Sequence, residues 1–212
     1  MNSIAIIGAG RVGTALAKGL SATGHLITLG VRDPAAARQK WQGPDIPFAG
    51  LADAIRPASI VINATPGDCS LSTFSSLQAE MMGKILIDVA NATVRGDDGL
   101  PSALIYSGSS LAEALQEALP HSFVVKTMNT LLSPVMANPS LLSSPATIFI
   151  SGNDATAKAI TRSLLLDLGW EEQWIEDLGA LDSARGTEAV ILLAPYLLRA
   201  GIRKPFALTA IR

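Results

Sequence analysis

A glycine-rich turn between an apolar strand and a helix constrains the fold of this chain more than any other feature. The apolar run at residues 4–7 leads into a Gly-x-Gly-x-x-Gly turn, and apolar residues recur at helical spacing over 12–20. In this context Gly8 permits a tight turn, Gly10 lets the backbone approach a pyrophosphate, and Gly13 lets the helix pack closely on the strand. The N–H groups and partial positive charge of the helix N-terminus favour phosphate. The predicted loop residues of this dinucleotide site are Gly8, Ala9, Gly10, Arg11, Val12 and Gly13.

The end of the second predicted strand indicates which dinucleotide binds. Sites for NAD usually place an acidic side chain there, which binds the ribose 2′-hydroxyl. Here the position is Val31, and the next residue is Arg32, whose guanidinium suits a 2′-phosphate. Asp33 precedes Pro34, and this pair is the expected N-cap and first residue of a helix. The sequence therefore favours NADP(H), and Arg11 is either a second cation for the phosphates or a solvated side chain.

Strand-length apolar runs alternate with helical segments along the chain, which predicts an α/β fold with a doubly wound, mostly parallel sheet. The predicted strands are residues 4–7, 26–31, 46–48, 59–66, 84–91, 122–129, 146–151 and 173–175. Ligands of such sheets lie beyond the carboxyl ends of the strands, so we expect Ala64, Thr65 and Pro66 beside the cofactor. We also expect a loop around residues 96–99, and a loop or broken helix over the cofactor side at 133–145.

The last predicted helix points to a subunit interface. It begins near Ser183 and is apolar nearly all round over residues 189–198, so we expect it to be buried on more than one side. In so small a chain this favours a homodimer. We therefore divide the chain into a dinucleotide-binding domain at residues 1–130 and an extension at 131–212. The extension would add strands to the sheet, form the acceptor cleft and supply the dimer interface.

Composition argues against several classes of partner. The net charge of −2 gives no electrostatic case for nucleic acid or an anionic membrane. With one cysteine, Cys69, the chain has no cysteine cluster, and we expect no metal site. The uncharged stretch 127–153 contains three prolines and no apolar run of spanning length. Since no charged leader precedes Ile4, we expect a soluble, cytoplasmic protein that acts on a small molecule.

Five segments, in the right order, make the chain resemble a known family. They are residues 8–13 (GAGRVG), 30–32 (GVR), 124–130 (VVKTMNT), 148–154 (IFISGND) and 178–185 (LGALDSAR). Together they resemble the NADPH:coenzyme F-420 (deazaflavin) oxidoreductases over almost the full length. The cytosolic reductase domain of the six-transmembrane metalloreductases is similar at a greater distance. The glycine loop is shared by many families, whereas the third and fifth segments are more specific.

The resemblance implies an extended Rossmann fold with NADP(H) at the glycine loop and Arg32. It also implies a deazaflavin or flavin stacked on the nicotinamide, in a cleft formed with the C-terminal part. By family position, the residues lining the cofactor and the hydride-transfer site would be Thr65, Pro66, Asn91, Ala92 and Asn129. The deazaflavin enzymes often carry His where this chain has Asn129, which leaves the identity of the acceptor open.

The sequence contains no persuasive His, Lys or Tyr constellation for acid–base catalysis. Hydride transfer to a deazaflavin needs little such help, because stacking and exclusion of water suffice. A carbonyl or imine substrate would need a proton donor. The weak candidates are Lys126, Thr127 and Tyr106, and Lys126 is more simply interpreted as a structural ion-pair partner. Two alternatives remain at this stage: an imine reductase similar to pyrroline-5-carboxylate reductases, and a non-enzymatic NADP(H) sensor.

Overall fold

One β-sheet forms the centre of the molecule. The computed structural model describes residues 1–202 and 205–211, within which eight strands form this sheet and two more form a hairpin. The strands are β1 (Ser3–Ile7), β2 (Leu26–Gly30), β3 (Phe48–Ala49), β4 (Ile60–Asn63), β5 (Ile85–Asp88), β6 (Thr93–Arg95), β7 (Pro101–Leu104), β8 (Phe123–Thr127), β9 (Ile148–Gly152) and β10 (Ile175–Asp177). The sheet order is β10-β9-β8-β5-β4-β1-β2-β3. Only the β8–β9 pair within this described sheet is antiparallel, which confirms the mostly parallel prediction.

Helices cover both faces of the sheet. They are α1 (Arg11–Ala22), α2 (Pro34–Lys40), α3 (Leu51–Ile55), α4 (Gly67–Ser75), α5 (Gln78–Met81), α6 (Leu111–Ala118), α7 (Ser133–Ala137), α8 (Ala155–Asp167), α9 (Ala184–Ala189) and α10 (Ala194–Arg199). Short 3₁₀ turns occur at Pro139–Leu141, Glu172–Trp174, Leu181–Ser183 and Val190–Leu193. The sequence analysis assigned no helix to the stretch that forms α4 and α5.

Two hydrophobic cores lie on opposite faces of the sheet, as a doubly wound α/β fold requires. On one face Leu16 of α1, Val135 of α7 and Leu164 of α8 pack against the strands. On the other face Phe74 of α4 and Leu115 of α6 do so. The first core contains residues from both sides of position 130, so the C-terminal part extends the same sheet and shares its core.

The strand order reverses beside β1, and this reversal positions the site. β1 pairs in parallel with β2 on one side and with β4 on the other. The chain segments that leave the carboxyl ends of these strands cross to opposite faces, so a crevice opens between them. We call the region where β1, β4, β5 and β8 end the carboxyl side of the sheet.

The last predicted helix is broken, and its apolar part is less buried than expected. Pro195 has no N–H to donate to the preceding turn, and the chain passes from α9 through the 3₁₀ turn into α10. Between residues 189 and 198 only Pro195 is fully buried, and Tyr196 is 66% exposed. The single chain therefore does not bury this segment on more than one side, and its burial at a subunit interface stays a prediction.

Two other segments differ from or refine the sequence predictions. The expected loop around residues 96–99 is the tip of the β6–β7 hairpin, whose strands are too short and polar to give a periodic signal. The stretch 133–145 is a broken helix, as one of the two alternatives predicted. Val135 and Met136 are buried in the core and α7 packs along α1, so this part of the stretch is anchored.

Candidate functional site

The three glycines of the loop have three different surroundings. Gly8 has φ +106°, and a Cβ there would lie 2.6 Å from the Ala64 carbonyl oxygen. A Cβ on Gly13 would lie 1.9 Å from the carbonyl oxygen of Gly8, so the helix and the turn meet backbone to backbone. A Cβ on Gly10 would meet no heavy atom within 4 Å. The loop therefore needs two glycines for its own geometry and leaves open space at the third.

The N-terminus of α1 is free to receive an anion. Gly10 is its N-cap residue, no side chain caps it, and its first turn contains no acidic residue. Ala9 and Val12 are partly buried, whereas Arg11 is exposed. The unpaired N–H groups of this turn and the helix dipole thus favour a phosphate group at Gly10.

Arg32 and Asp33 have the surroundings that the sequence predicts. The Asp33 carboxylate accepts a hydrogen bond from the Ala36 backbone N–H at 3.0 Å and caps α2. Arg32 is exposed just beyond β2, and neither its guanidinium nor that of Arg11 bonds to another side chain or carbonyl within residues 1–202 and 205–211. Both cations are therefore available for a phosphate.

The segments that follow β4, β5 and β8 meet on the carboxyl side of the sheet. Asn91 donates to the Asn129 carbonyl oxygen at 2.7 Å, and the Asn129 amide donates back to the Asn91 side-chain oxygen at 3.0 Å. A Cβ on Gly67 would lie 2.1 Å from the Asn91 carbonyl oxygen, so α4 begins in direct contact with this pair. Gly8 in turn contacts Ala64. The structure thus brings the glycine loop and the residues predicted after β4, β5 and β8 into one region.

The other predicted residues occupy the same region. Thr65 is partly buried and Pro66 is exposed at the start of α4. Ala92 is buried, and its carbonyl oxygen accepts from the Ile105 N–H at 3.0 Å, which closes the β6–β7 hairpin onto the site. Cys69 is exposed on the first turn of α4. Within the described ranges, no group of three or more His, Cys, Asp or Glu residues could hold a metal ion.

The end of β8 is strained where it reaches this region. Met128 has φ +60°, an uncommon value for a residue with a side chain. The Asn129 N–H donates to the Thr127 carbonyl oxygen at 2.7 Å, which closes a tight turn around Met128. The Thr127 hydroxyl is buried and has no partner among the described residues. Strain of this kind is concentrated at functional sites, and here it positions Asn129.

A row of buried polar residues lies just inside the carboxyl side of the sheet. Asn63, Asp88 and Lys126 occupy neighbouring in-register positions on β4, β5 and β8. The Asn63 amide donates to Asp88 at 2.8 Å, and the Lys126 ammonium lies 2.8 Å from both Asp88 and Glu188. The prediction of Lys126 as a structural ion-pair partner is confirmed. The Lys126 ammonium is thus engaged by two carboxylates and shielded from solvent.

The sequence analysis missed Glu188, which lies on α9. Its carboxylate binds Lys126 and also accepts from the backbone N–H groups of Leu111 and Ala112, at 2.9 and 3.2 Å, at the start of α6. A lysine in an apolar strand requires a buried partner. That signal was present in the sequence, but nothing in it indicated which carboxylate supplies the charge.

Tyr106 follows the hairpin and packs near the same carboxylate. Burial, and then the negative charge of Glu188, raise the pKa of the Tyr106 hydroxyl. Because the shift is upward, the phenol stays neutral at physiological pH and could only act as a hydrogen-bond donor or acceptor there. The structure thus gives no activated acid or base at Tyr106.

An apolar groove adjoins Asn129. One wall is the segment after β8, and the other comes from the 3₁₀ turn Val190–Leu193, α10 and the chain beyond it. The lining residues are Asn129, Thr130, Leu131, Leu132, Val190, Ile191, Leu193, Ala194, Leu197, Phe206 and Leu208. The lining is mostly aliphatic, which suits the apolar part of a ligand.

Comparison with known proteins identifies the family. Residues 3–92 match the family described as NADP oxidoreductase coenzyme F420-dependent. Over 182 residues the chain is 30% identical to the F420-dependent NADP reductase of Methanocaldococcus jannaschii, with 82% of this chain and 76% of that protein covered. The chain belongs to the F420-dependent NADP oxidoreductase family. It is an NADP-dependent oxidoreductase, and this corrects the alternative of a non-enzymatic sensor.

Solved structures support the same fold. A putative F420-dependent NADP-reductase from Arthrobacter sp. FB24 is 34% identical, has a TM-score of 0.92 and matches over 100% of both chains. Plasmodium falciparum pyrroline carboxylate reductase, solved with NADP bound, is 16% identical with a TM-score of 0.58, covering 95% of this chain and 70% of that one. The second likeness shows the fold alone. No helix within the described part of the chain is long and apolar enough to cross a membrane.

Proposed function

We propose that this oxidoreductase transfers hydride between NADP(H) and a deazaflavin of the F-420 type. A flavin, whose ring system has the same shape, is the alternative acceptor. The observation that carries the proposal is the apolar groove beside Asn129, which adjoins the region where the glycine loop meets the ends of β4, β5 and β8. The name of the Methanocaldococcus relative supports the same acceptor.

The residues of the dinucleotide site fit NADP(H). Gly10 leaves space where a pyrophosphate would approach, and the uncapped start of α1 would bind it through N–H groups. Arg32, which has no competing partner in the described chain, would bind the 2′-phosphate, and Arg11 would add a second positive charge. We assign these roles to residues 1–130, while residues 131–212 would supply the acceptor groove.

The nicotinamide, when bound, supplies or accepts the hydride. The protein would contribute position rather than acid–base chemistry. The Asn91–Asn129 pair and the adjoining Ala92 and Thr65 would hold the ring face toward the groove, and the apolar wall at Ile191 would exclude water. Stacking two rings at reacting distance can lower a barrier by several kcal/mol, about 7 or more in well-oriented cases. The hydride step requires no proton donor at carbon, and the ring nitrogen of the reduced deazaflavin can take its proton from water, which is consistent with the engaged Lys126.

A panel of acceptors tests this proposal. We expect purified protein to oxidise NADPH with the deazaflavin as saturable acceptor, and to do so more slowly with FMN, FAD or the cyclic imine 1-pyrroline. Ile191→Trp should fill the groove and raise the KM for the acceptor about tenfold, a loss of roughly 1.4 kcal/mol, while the Kd for NADPH stays unchanged. Leu166→Trp is the matched control, because the Leu166 side chain on α8 is exposed and lies outside the groove. Turnover with the imine alone would refute the proposed acceptor.

A further inference from the structure

A row of hydrogen bonds that ends in an ion pair connects the cofactor region to the C-terminal part. The Thr65 hydroxyl donates to the Asn63 side-chain oxygen at 2.6 Å, and the Asn63 amide donates to Asp88 at 2.8 Å. Lys126 then bridges Asp88 to Glu188, with 2.8 Å to each. The last four residues are at most 2% exposed. The row therefore runs without interruption, and shielded from solvent, from the start of α4 to α9.

Stability alone does not account for this arrangement. Buried ions lose their hydration, and a well-packed apolar set of the same volume often supports a fold equally well. Here two carboxylates face one ammonium, and the excess negative charge of Glu188 is met by the Leu111 and Ala112 N–H groups at the start of α6. Charge-assisted hydrogen bonds differ from apolar contacts because they fix distance and direction. This row thus sets the relative positions of the elements that carry it.

Those elements are the ones that form the proposed hydride-transfer site. Asp88 and Lys126 each lie three residues before one member of the Asn91–Asn129 pair. Glu188 lies two residues before Val190, where the apolar wall of the groove begins. The ion pair between Lys126 and Glu188 therefore connects the strand ends to the groove wall.

We propose that Glu188 is a positioning residue for hydride transfer. Through Lys126 it fixes the groove wall at residues 190–197 relative to the strand ends that carry Asn91 and Asn129. The inference rests on the proposed function, because it requires NADPH at those strand ends and the acceptor in the groove. A misplacement of about 1 Å can slow such a reaction by about a hundredfold.

Glu188→Gln separates positioning from folding. Glutamine has nearly the same size, and its one side-chain oxygen can still accept from one of the two α6 N–H groups, although its NH2 group cannot accept from the other. Lys126 keeps Asp88 as its partner, so no buried charge is left alone. Arg185→Gln is the matched control, because Arg185 lies on the same helix α9 and binds Glu113 of α6 without touching Lys126. Glu188→Asp, which keeps the charge but shortens the side chain, is the second variant.

Two measurements apply to each protein. The first is the single-turnover rate of NADPH oxidation by the deazaflavin, together with the Kd for NADPH. We expect Glu188→Gln to slow the rate about tenfold or more, with Glu188→Asp between it and the wild type, while the Kd stays within about twofold. Arg185→Gln should retain the wild-type rate. Equal single-turnover rates in the wild type and Glu188→Gln would overturn the inference. An equal loss of rate in Arg185→Gln and Glu188→Gln would do the same.

The second measurement is hydrogen exchange with and without NADPH, and it needs no acceptor. We expect NADPH to slow exchange at residues 190–199 in the wild type and in Arg185→Gln but not in Glu188→Gln, while residues 11–14 are slowed in all three. A merely structural Glu188 would raise exchange equally with and without NADPH. Slowing at 190–199 that persists in Glu188→Gln, or is absent from the wild type, overturns the inference. Failure of every acceptor in the wild type would refute the proposed function alone.

Discussion

Gly10 and Gly13 are three residues apart in one loop, yet they serve different purposes. Gly13 has no room for a methyl group, because a Cβ would lie 1.9 Å from the Gly8 carbonyl oxygen. Gly10 faces open space, which we assign to the pyrophosphate. One glycine is therefore needed by the fold, and we propose that the other is needed by the ligand.

Alanine substitutions separate these two roles. Gly13→Ala should destabilise the protein by about 1–3 kcal/mol, because backbone has to move to relieve the overlap. Gly10→Ala should cost about 1 kcal/mol or less, the difference between glycine and alanine at an N-cap, but should weaken NADPH binding about tenfold or more. Urea unfolding and NADPH titration check both effects. A Gly10→Ala protein that binds NADPH normally would contradict the site.

We propose that Arg32 sets the preference for NADPH over NADH. We predict that Arg32→Ala weakens NADPH binding by about 1.5–3 kcal/mol, the range for a charge-assisted contact, and NADH binding far less. Arg38→Ala is the control. Arg38 lies on α2 and is also exposed, but its guanidinium pairs with Asp45. Both affinities should be measured at one ionic strength. Equal losses for the two nucleotides, or a comparable loss in Arg38→Ala, would refute the assignment.

How far sequence predicts single residues depends on how local their roles are. The glycine loop and the Asp33 cap follow from neighbours in the chain, so both were predictable. Glu188 is buried by a contact with Lys126, 62 residues away, and no local pattern marks it. The strain at Met128 is equally invisible, because it depends on how β8 meets its surroundings.

Among the elements, α6 and α9 are joined by the Glu188 hydrogen bonds and, nearer the surface, by an ion pair between Arg185 and Glu113. Arg185 holds the pKa of Glu113 below its ordinary value, mainly through their hydrogen bonds. A carboxylate with a lowered pKa in the folded state stabilises the fold above its unfolded pKa of about 4.5, and the effect disappears as pH falls through the folded value. The contribution is small, because the guanidinium is more than half exposed.

This contact predicts the pH dependence of one variant. Arg185→Gln should be less stable than the wild type at about pH 7, and the two proteins should converge as the pH falls through the lowered folded pKa of Glu113, because the carboxylate is then protonated in both. Urea unfolding at several pH values measures the difference. A difference that persists unchanged at low pH would show that Arg185 acts through packing and not through the charge of Glu113.

Element prediction succeeded where periodicity was strong and failed where context decides. The strands of the main sheet are apolar runs covered on both faces, and their existence was predicted, within a few residues at their ends. The β6–β7 hairpin has no such run. The break in the last helix follows from Pro195. The number of faces that this helix buries depends on a partner, and the sequence does not name one.

At the scale of the whole molecule, the apolar segment at residues 189–198 remains partly uncovered, and we propose that a second copy covers it. Wild-type protein should show twice the chain mass by light scattering. Tyr196→Glu, at a side chain that is 66% exposed, should shift the measured mass toward that of the monomer. Leu166→Glu, at a 41% exposed leucine on α8, is the control and should not. A monomeric wild type at micromolar concentration would refute the dimer.

The central claim is direct transfer of hydride from NADPH to the deazaflavin in the groove beside Asn129. The most direct test uses NADPH labelled with deuterium on either face of the nicotinamide C4. The reduced deazaflavin carries its new hydrogen on carbon, so a transferred label is retained. We predict that the label from one face, and only that face, appears quantitatively in the reduced deazaflavin. Label released to water, or a solvent hydrogen in place of the label on that carbon, would contradict direct transfer.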